Sequence, residues 1–70
     1  MNPSITVYVN GAAHTVAPGL ALAALVALHT PAVAGVAVAV DGEVVPRASW
    51  PGTALGEGAR VEILTAVQGG

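Results

Sequence analysis

Apolar and polar side chains alternate near the start of the chain, and this is the period of a half-buried strand. Ile5, Val7 and Val9 share one face of the predicted strand, which runs from Ser4 to Val9. Asn10-Gly11 comes next, and this pair tolerates the positive φ angles of a tight hairpin turn. The pattern therefore predicts a β-hairpin.

The next segment changes from strand to helix periodicity. We predict a second strand through about His14 to Val16, which Pro18-Gly19 ends. A helix then begins, although no Ser, Thr, Asp or Asn is placed to cap its start. Thr30-Pro31 should end it, because the residue before proline is driven out of the α region. The helix stripe has the spacing i, i+3, i+4, i+7 and consists of Leu22, Leu25, Val26 and His29.

The second half of the chain predicts more strands. Val36 to Val40 alternates with alanines, and Asp41-Gly42 turns into a strand of residues 43–45 that Pro46 ends or confines to a sheet edge. Loops are predicted at Pro51-Gly52 and at residues 56–58, before a final strand from Arg60 to Val67. Two hairpins, one helix and a returning strand predict an α+β roll, with the helix packed across a mixed sheet of four to five strands.

The composition of the chain excludes several classes of function. Seventy residues form one domain, and 54% hydrophobic content must supply its core because there is no cysteine for a disulfide, a thiolate metal site or a thiol nucleophile. The two basic residues, Arg47 and Arg60, are too few to neutralise a nucleic acid backbone. The longest uninterrupted apolar run, Leu20 to Leu28, is too short to span a membrane. We therefore expect a cytoplasmic protein that binds neither nucleic acid nor membrane.

The sequence ends in Gly69-Gly70, which follow the last predicted strand. Glycine has no Cβ, so such a tail can enter a narrow channel and leaves its terminal carbonyl carbon open to attack. A frayed terminus is the alternative, since glycine is common at chain ends. The dipeptide by itself is compatible with both interpretations.

One combination of residues resembles a known family. The run VAVAVDGEVVPR (Val36 to Arg47), then Trp50, then VEILTAVQGG at the terminus, resembles the ThiS family of sulfur-carrier proteins of thiazole (thiamin) biosynthesis. The resemblance covers nearly the whole chain and implies a ubiquitin-like β-grasp fold, with a domain at 1–66 and a flexible tail at 67–70.

The resemblance also implies a chemistry. An adenylating enzyme related to ubiquitin activators would use ATP and magnesium to activate the carboxylate of Gly70, and a persulfide on another protein would supply sulfur to form a thiocarboxylate. Thiazole synthase would then take that sulfur. Gly69, Gln68 and Val67 would thread into each partner enzyme. The chain itself would bind no cofactor and would be a substrate rather than an enzyme.

We find no rival catalytic or metal site in the sequence. His14 is expected on the strand surface and His29 in the last helical turn, without a nucleophile at a recognised spacing. Asp41 and Glu43 are expected to be solvated around a turn. Trp50 is predicted to fill the core rather than to anchor a partner.

Arg47 has two possible roles at this point. It could form a surface ion pair with a neighbouring carboxylate, which would contribute about 0 to 1 kcal/mol to stability. Its place in the family-like run also makes a partner contact possible. The sequence leaves both roles open.

The residues facing away from the helix suggest a docking surface. If Val61 and Ile63 pack under the helix, the opposite sheet surface should be apolar and nearly uncharged, which is typical of a protein interface. The predicted docking residues are Leu64, Ala66, Ala37 and Ala39.

Two alternatives to the thiazole-pathway function remain. One is a related carrier for molybdopterin or cysteine synthesis, and the other is a β-grasp interaction module with an incidental Gly-Gly.

Overall fold

A computed structural model describes residues 3–30 and 35–65 of the chain. In these ranges one α-helix lies across a mixed sheet of five strands, which confirms the predicted β-grasp class. The elements are β1 (Ile5–Val9), β2 (Ala12–Val16), α1 (Leu22–His29), β3 (Val36–Val40), β4 (Glu43–Val44), a 3₁₀ helix (Arg47–Gly52) and β5 (Arg60–Thr65).

The last strand lies in the middle of the sheet. The strand order is β2-β1-β5-β3-β4, with β5 parallel to β1 and every other pair antiparallel. The parallel ladder is short, joining Tyr8 to Arg60 and Val9 to Val61, whereas the ladder between β5 and β3 extends over the whole of β3. The C-terminal strand is therefore fixed on both sides by the two hairpins.

Both hairpin turns have the predicted geometry. Asn10 and Gly11 have φ angles of 49° and 87°, and Asp41 and Gly42 have 50° and 86°. Positive φ at both central residues is the signature of a type I′ turn, whose twist matches that of the flanking strands. The strands after the turns differ slightly in extent from the prediction, since β2 already begins at Ala12 and β4 ends at Val44.

Helix α1 begins without a side-chain cap, as the sequence predicts. Its first amide is satisfied by the fold instead, because Leu22 donates to the backbone carbonyl of Thr53 at 2.7 Å. The helix ends at His29, and Thr30 takes the extended conformation expected before Pro31. None of the helices in residues 3–30 and 35–65 is long and apolar enough to cross a membrane.

Trp50 is a core residue, as predicted. It is 6% exposed, and its indole Nε1 donates to the carbonyl of Val45 at 2.8 Å. The prediction of a loop at Pro51-Gly52 is wrong, since both residues lie in the 3₁₀ helix. Proline has a fixed φ near that of a helical turn, so it extends this turn rather than breaking it.

The hydrophobic core lies between α1, the 3₁₀ helix and the sheet. Its buried residues are Val7, Val9, Leu22, Leu25, Val26, Val38, Trp50, Leu55, Ala59, Val61 and Ile63.

Asn10 extends the ladder beyond the end of β1. Its backbone N–H donates to the carbonyl of Val61 at 2.9 Å. Its side-chain amide then binds both backbone groups of Ile63: Oδ1 accepts from the N–H at 2.9 Å and Nδ2 donates to the carbonyl at 3.1 Å. A side chain thus takes the place of a strand residue that β1 no longer supplies.

Asp41, in the turn of the other hairpin, also binds backbone groups of β5 beyond the end of a ladder. It is exposed, as expected, but its Oδ1 accepts from the N–H of Arg60 at 3.0 Å, and its own N–H donates to the carbonyl of Arg60 at 2.8 Å. Glu57 acts similarly at the start of the sheet, where its Oε1 accepts from the N–H of Thr6 at 3.1 Å. Three polar side chains therefore complete the sheet where the backbone ladders stop.

We expect the side-chain amide of Asn10 to be a measurable part of stability. Asn10→Gly keeps the positive φ but removes both bonds to Ile63, and should lower the free energy of unfolding by about 1 to 3 kcal/mol in urea denaturation. Asn10→Asp, which keeps the acceptor and loses the donor, should be intermediate. Equal free energies of unfolding for the wild type and Asn10→Gly would show that the two side-chain hydrogen bonds to Ile63 contribute nothing to stability.

Candidate docking face and terminal strand

Strand β5 carries the chain toward its C-terminus. Its ladder with β1 stops at Val61, and the strand continues to Thr65 alongside β3. Four further residues of strand extend about 13 Å. The terminal residues therefore come after a strand that is held on one side by β3 and, up to Ile63, on the other by Asn10.

The predicted reactive end lies outside the residues that the structure describes. This applies to Gly70, to the tail residues Gly69, Gln68 and Val67, and to Ala66. The boundary between a domain at 1–66 and a tail at 67–70 falls in the same segment. These assignments stay predictions.

The sheet surface opposite α1, called the outer face, carries exposed apolar side chains. Leu64 is 65% exposed and is the cross-strand neighbour of Ala37. Val44 is 77% exposed and lies opposite Ala39. An open groove of about 220 Å³ joins them and is lined by Ala37, Val38, Ala39, Gly42, Val44, Glu62 and Leu64. Three of the four predicted docking residues thus line one groove.

Val44 belongs to this surface although the sequence analysis missed it. A two-residue turn at Asp41-Gly42 sets the register so that Glu43 pairs with Val40 and Val44 with Ala39. Val44 must then share the face of Ala39. A register count from the turn would have placed it there.

The expectation of a nearly uncharged outer face is wrong. Glu62 alternates with Leu64 along β5 and lines the apolar groove, and Arg60 precedes it on the same face. A second groove of about 350 Å³ is lined by Tyr8, Gly11, Arg60, Val61 and Glu62. The alternation that brings leucine to this face also brings the two charges, so the face is divided into an apolar part and a charged part.

Arg47 is placed against the core tryptophan. Its guanidinium carbon lies 5.6 Å from the centroid of the Trp50 ring, within the range of a cation–π contact. Both residues lie in the 3₁₀ helix, where side chains three residues apart lie above one another, so their spacing permits the contact. A role for Arg47 in partner binding stays a prediction.

The two histidines lie together, although nothing in the sequence pattern connects them. The imidazole rings of His14 and His29 are packed edge to face with centroids 4.7 Å apart. The register supplies the reason: His14 pairs with Val7 and therefore faces the helix, and His29 ends the helix stripe that begins at Leu22. Within residues 3–30 and 35–65, no group of three His, Cys, Asp or Glu side chains could hold a metal ion.

Comparison with known proteins agrees with this architecture. Residues 5–70 match the model of the ThiS family. The crystal structure of the thiamine biosynthesis protein (ThiS) from Geobacter metallireducens is similar, with 33% sequence identity and a TM-score of 0.78, over 94% of this chain and 100% of that one. No curated protein matches the chain. Since the family model spans nearly the whole sequence and the fold agrees with that of the Geobacter protein, the chain belongs to the ThiS family.

Proposed function

We propose that Gly70 carries the sulfur, as a thiocarboxylate formed on its terminal carboxylate. Membership of the ThiS family supports a sulfur carrier in thiamin biosynthesis, and the proposal makes the chain a substrate of other enzymes rather than a catalyst. The proposal adds the chemistry at the terminus and the residues that present it. The observation that carries it is the position of β5, a central strand that is paired on both sides and precedes the terminal residues in the sequence.

The proposed chemistry follows from the properties of a carboxylate. It is ionised at neutral pH, and an anion repels nucleophiles. In the adenylating enzyme, with ATP and magnesium, the carboxylate oxygen would attack the α-phosphorus, pyrophosphate would leave, and the acyl carbon would gain AMP as a leaving group. A persulfide sulfur would then displace AMP. Cleavage of the resulting S–S bond by a thiol would leave the thiocarboxylate, from which thiazole synthase takes sulfur.

The composition of the chain supports its role as a carrier. There is no cysteine, so the sulfur must come from another molecule and cannot be held on a thiol of this chain. Because its two basic residues are arginines, no lysine side chain could capture the activated acyl group in an isopeptide bond. The activated terminus therefore has no competing nucleophile of these two kinds in its own chain.

The outer face is the surface we propose for docking on the adenylating enzyme and on thiazole synthase. Leu64 and Val44 are exposed there beside a groove, close to the end of the described part of β5. Glu62 and Arg60 add charges of both signs, which fix register and exclude wrong partners more than they add affinity. A partner surface with a hydrophobic centre and a charged rim would fit this division.

The chemistry at Gly70 can be tested by intact mass. Incubation with the adenylating enzyme, ATP, magnesium and a persulfide donor should raise the mass of the chain by one exchange of oxygen for sulfur. A variant that lacks Gly70 should show no shift, because its terminus falls about 3.5 Å short of the reacting position. Consumption of ATP with no mass change in the wild type would contradict the proposal.

The docking face can be tested with a matched pair of leucines. Leu64→Arg should raise the KM of the adenylating enzyme for the carrier at least tenfold, about 1.4 kcal/mol of binding free energy, measured by pyrophosphate release. Leu28→Arg is the control, since Leu28 is 74% exposed but lies on α1, on the other side of the sheet. Both variants should have the same free energy of unfolding as the wild type. Equal KM values for the two variants would refute the assignment of the face.

A further inference from the structure

We propose that His14 and His29 form a two-histidine binding site for a divalent transition-metal ion, which links the edge strand β2 to the end of α1. His14 lies on β2 and His29 is the last residue of α1, and the fold places the centroids of their rings 4.7 Å apart. The site is independent of the proposed sulfur chemistry.

The ring separation agrees with chelation. Two imidazoles bound to one ion through metal–nitrogen bonds of about 2.0 to 2.1 Å have centroids roughly 4.5 to 5.3 Å apart, for bond angles at the metal of about 90° to 110°. The observed separation lies in this range. The ring centroids are therefore already at a chelating distance, and rotation about the side-chain bonds would have to direct one nitrogen of each ring at the ion.

The two histidines are attached to well-packed parts of the fold. His14 is paired with Val7, which is fully buried, and His29 comes three residues after Val26, which is 4% exposed, on the same helix. The anchoring of both backbones reduces the entropy lost when the ligands are fixed on an ion. His14 is half-buried and His29 is exposed, so a hydrated ion can reach the pair.

The chemistry of the surroundings favours a borderline ion. From Gly11 to Val40 the chain has no Asp, Glu, Lys or Arg, so the two imidazoles are the ionisable side chains of this stretch. Neutral imidazole suits Zn²⁺, Ni²⁺ and Cu²⁺ rather than Mg²⁺ or Ca²⁺. Since the described part of the chain offers no group of three ligands, water would complete the coordination. Affinity should follow the usual order for such ligands, with Cu²⁺ bound more tightly than Ni²⁺ or Zn²⁺.

The two-histidine site lies far from the C-terminal end of β5 at Thr65. His14 is level with Val7, and the register of β1 with β5 places Val7 level with Ala59, six residues before Thr65. Six strand residues span about 20 Å. Metal binding should therefore stabilise the fold without blocking the tail, and the two activities can be tested separately.

The experiment is a calorimetric titration of the full chain with Zn²⁺, together with thermal unfolding and NMR of the imidazole nitrogens. We expect one saturable equivalent, a higher unfolding temperature, and shifts of both histidine side chains together. His14→Gln and His29→Gln should each weaken binding at least tenfold. Glu43→Gln is the control and should bind as the wild type does, since Glu43 lies on β4 at the opposite edge of the sheet.

Two results would overturn the proposal. One is equal Zn²⁺ binding by the wild type and the double histidine variant, which would place the ion elsewhere on the chain. The other is a shift of only one histidine in the wild-type NMR spectrum, a result that holds even if the variants fail to fold. Because the mass-shift assay uses the terminus and not the histidines, its outcome leaves the metal site unaffected.

Discussion

The structure depends on the hydrogen bonding of one strand, β5, between two hairpins that are not otherwise joined to each other in the sheet. It is parallel to β1 on one side and antiparallel to β3 on the other. A parallel pair of two residues is a weak connection, and the Asn10 side chain lengthens it by one position. Asp41 closes the opposite side at Arg60. The first residue of each turn thus both reverses its hairpin and binds the strand that joins the two halves.

This arrangement separates two tasks between the two faces of β5. The inward residues Val61 and Ile63 belong to the core, so their positions are fixed by packing against α1 and the neighbouring strands. The outward residues Glu62 and Leu64 are free of that constraint and can be matched to a partner. Such a division would suit the proposed function, in which the body stays folded while the terminus is presented to other proteins.

The sequence predicted the features that depend on local rules. Alternation located β1 and β3, the Asn-Gly and Asp-Gly pairs located both turns, and Pro31 ended the helix. The features that escaped depend on tertiary register: the pairing of His14 with His29, the place of Val44 on the outer face, and the bonds of Asn10 to Ile63. The contacts of His14 and Asn10 join residues far apart along the chain, and periodicity within one element contains no information about them. The proposed role of the terminus came from the resemblance to a family, because no packing rule could have singled it out.

The burial of Trp50 has a practical consequence for studying the protein. It is the sole tryptophan, enclosed in the core with its indole N–H bonded to Val45 and its ring beneath Arg47. Its fluorescence emission therefore arises from one environment and should move to longer wavelength when that environment opens to solvent. In urea or thermal unfolding of the isolated protein, a single intrinsic fluorophore can therefore report conformational integrity without an added label.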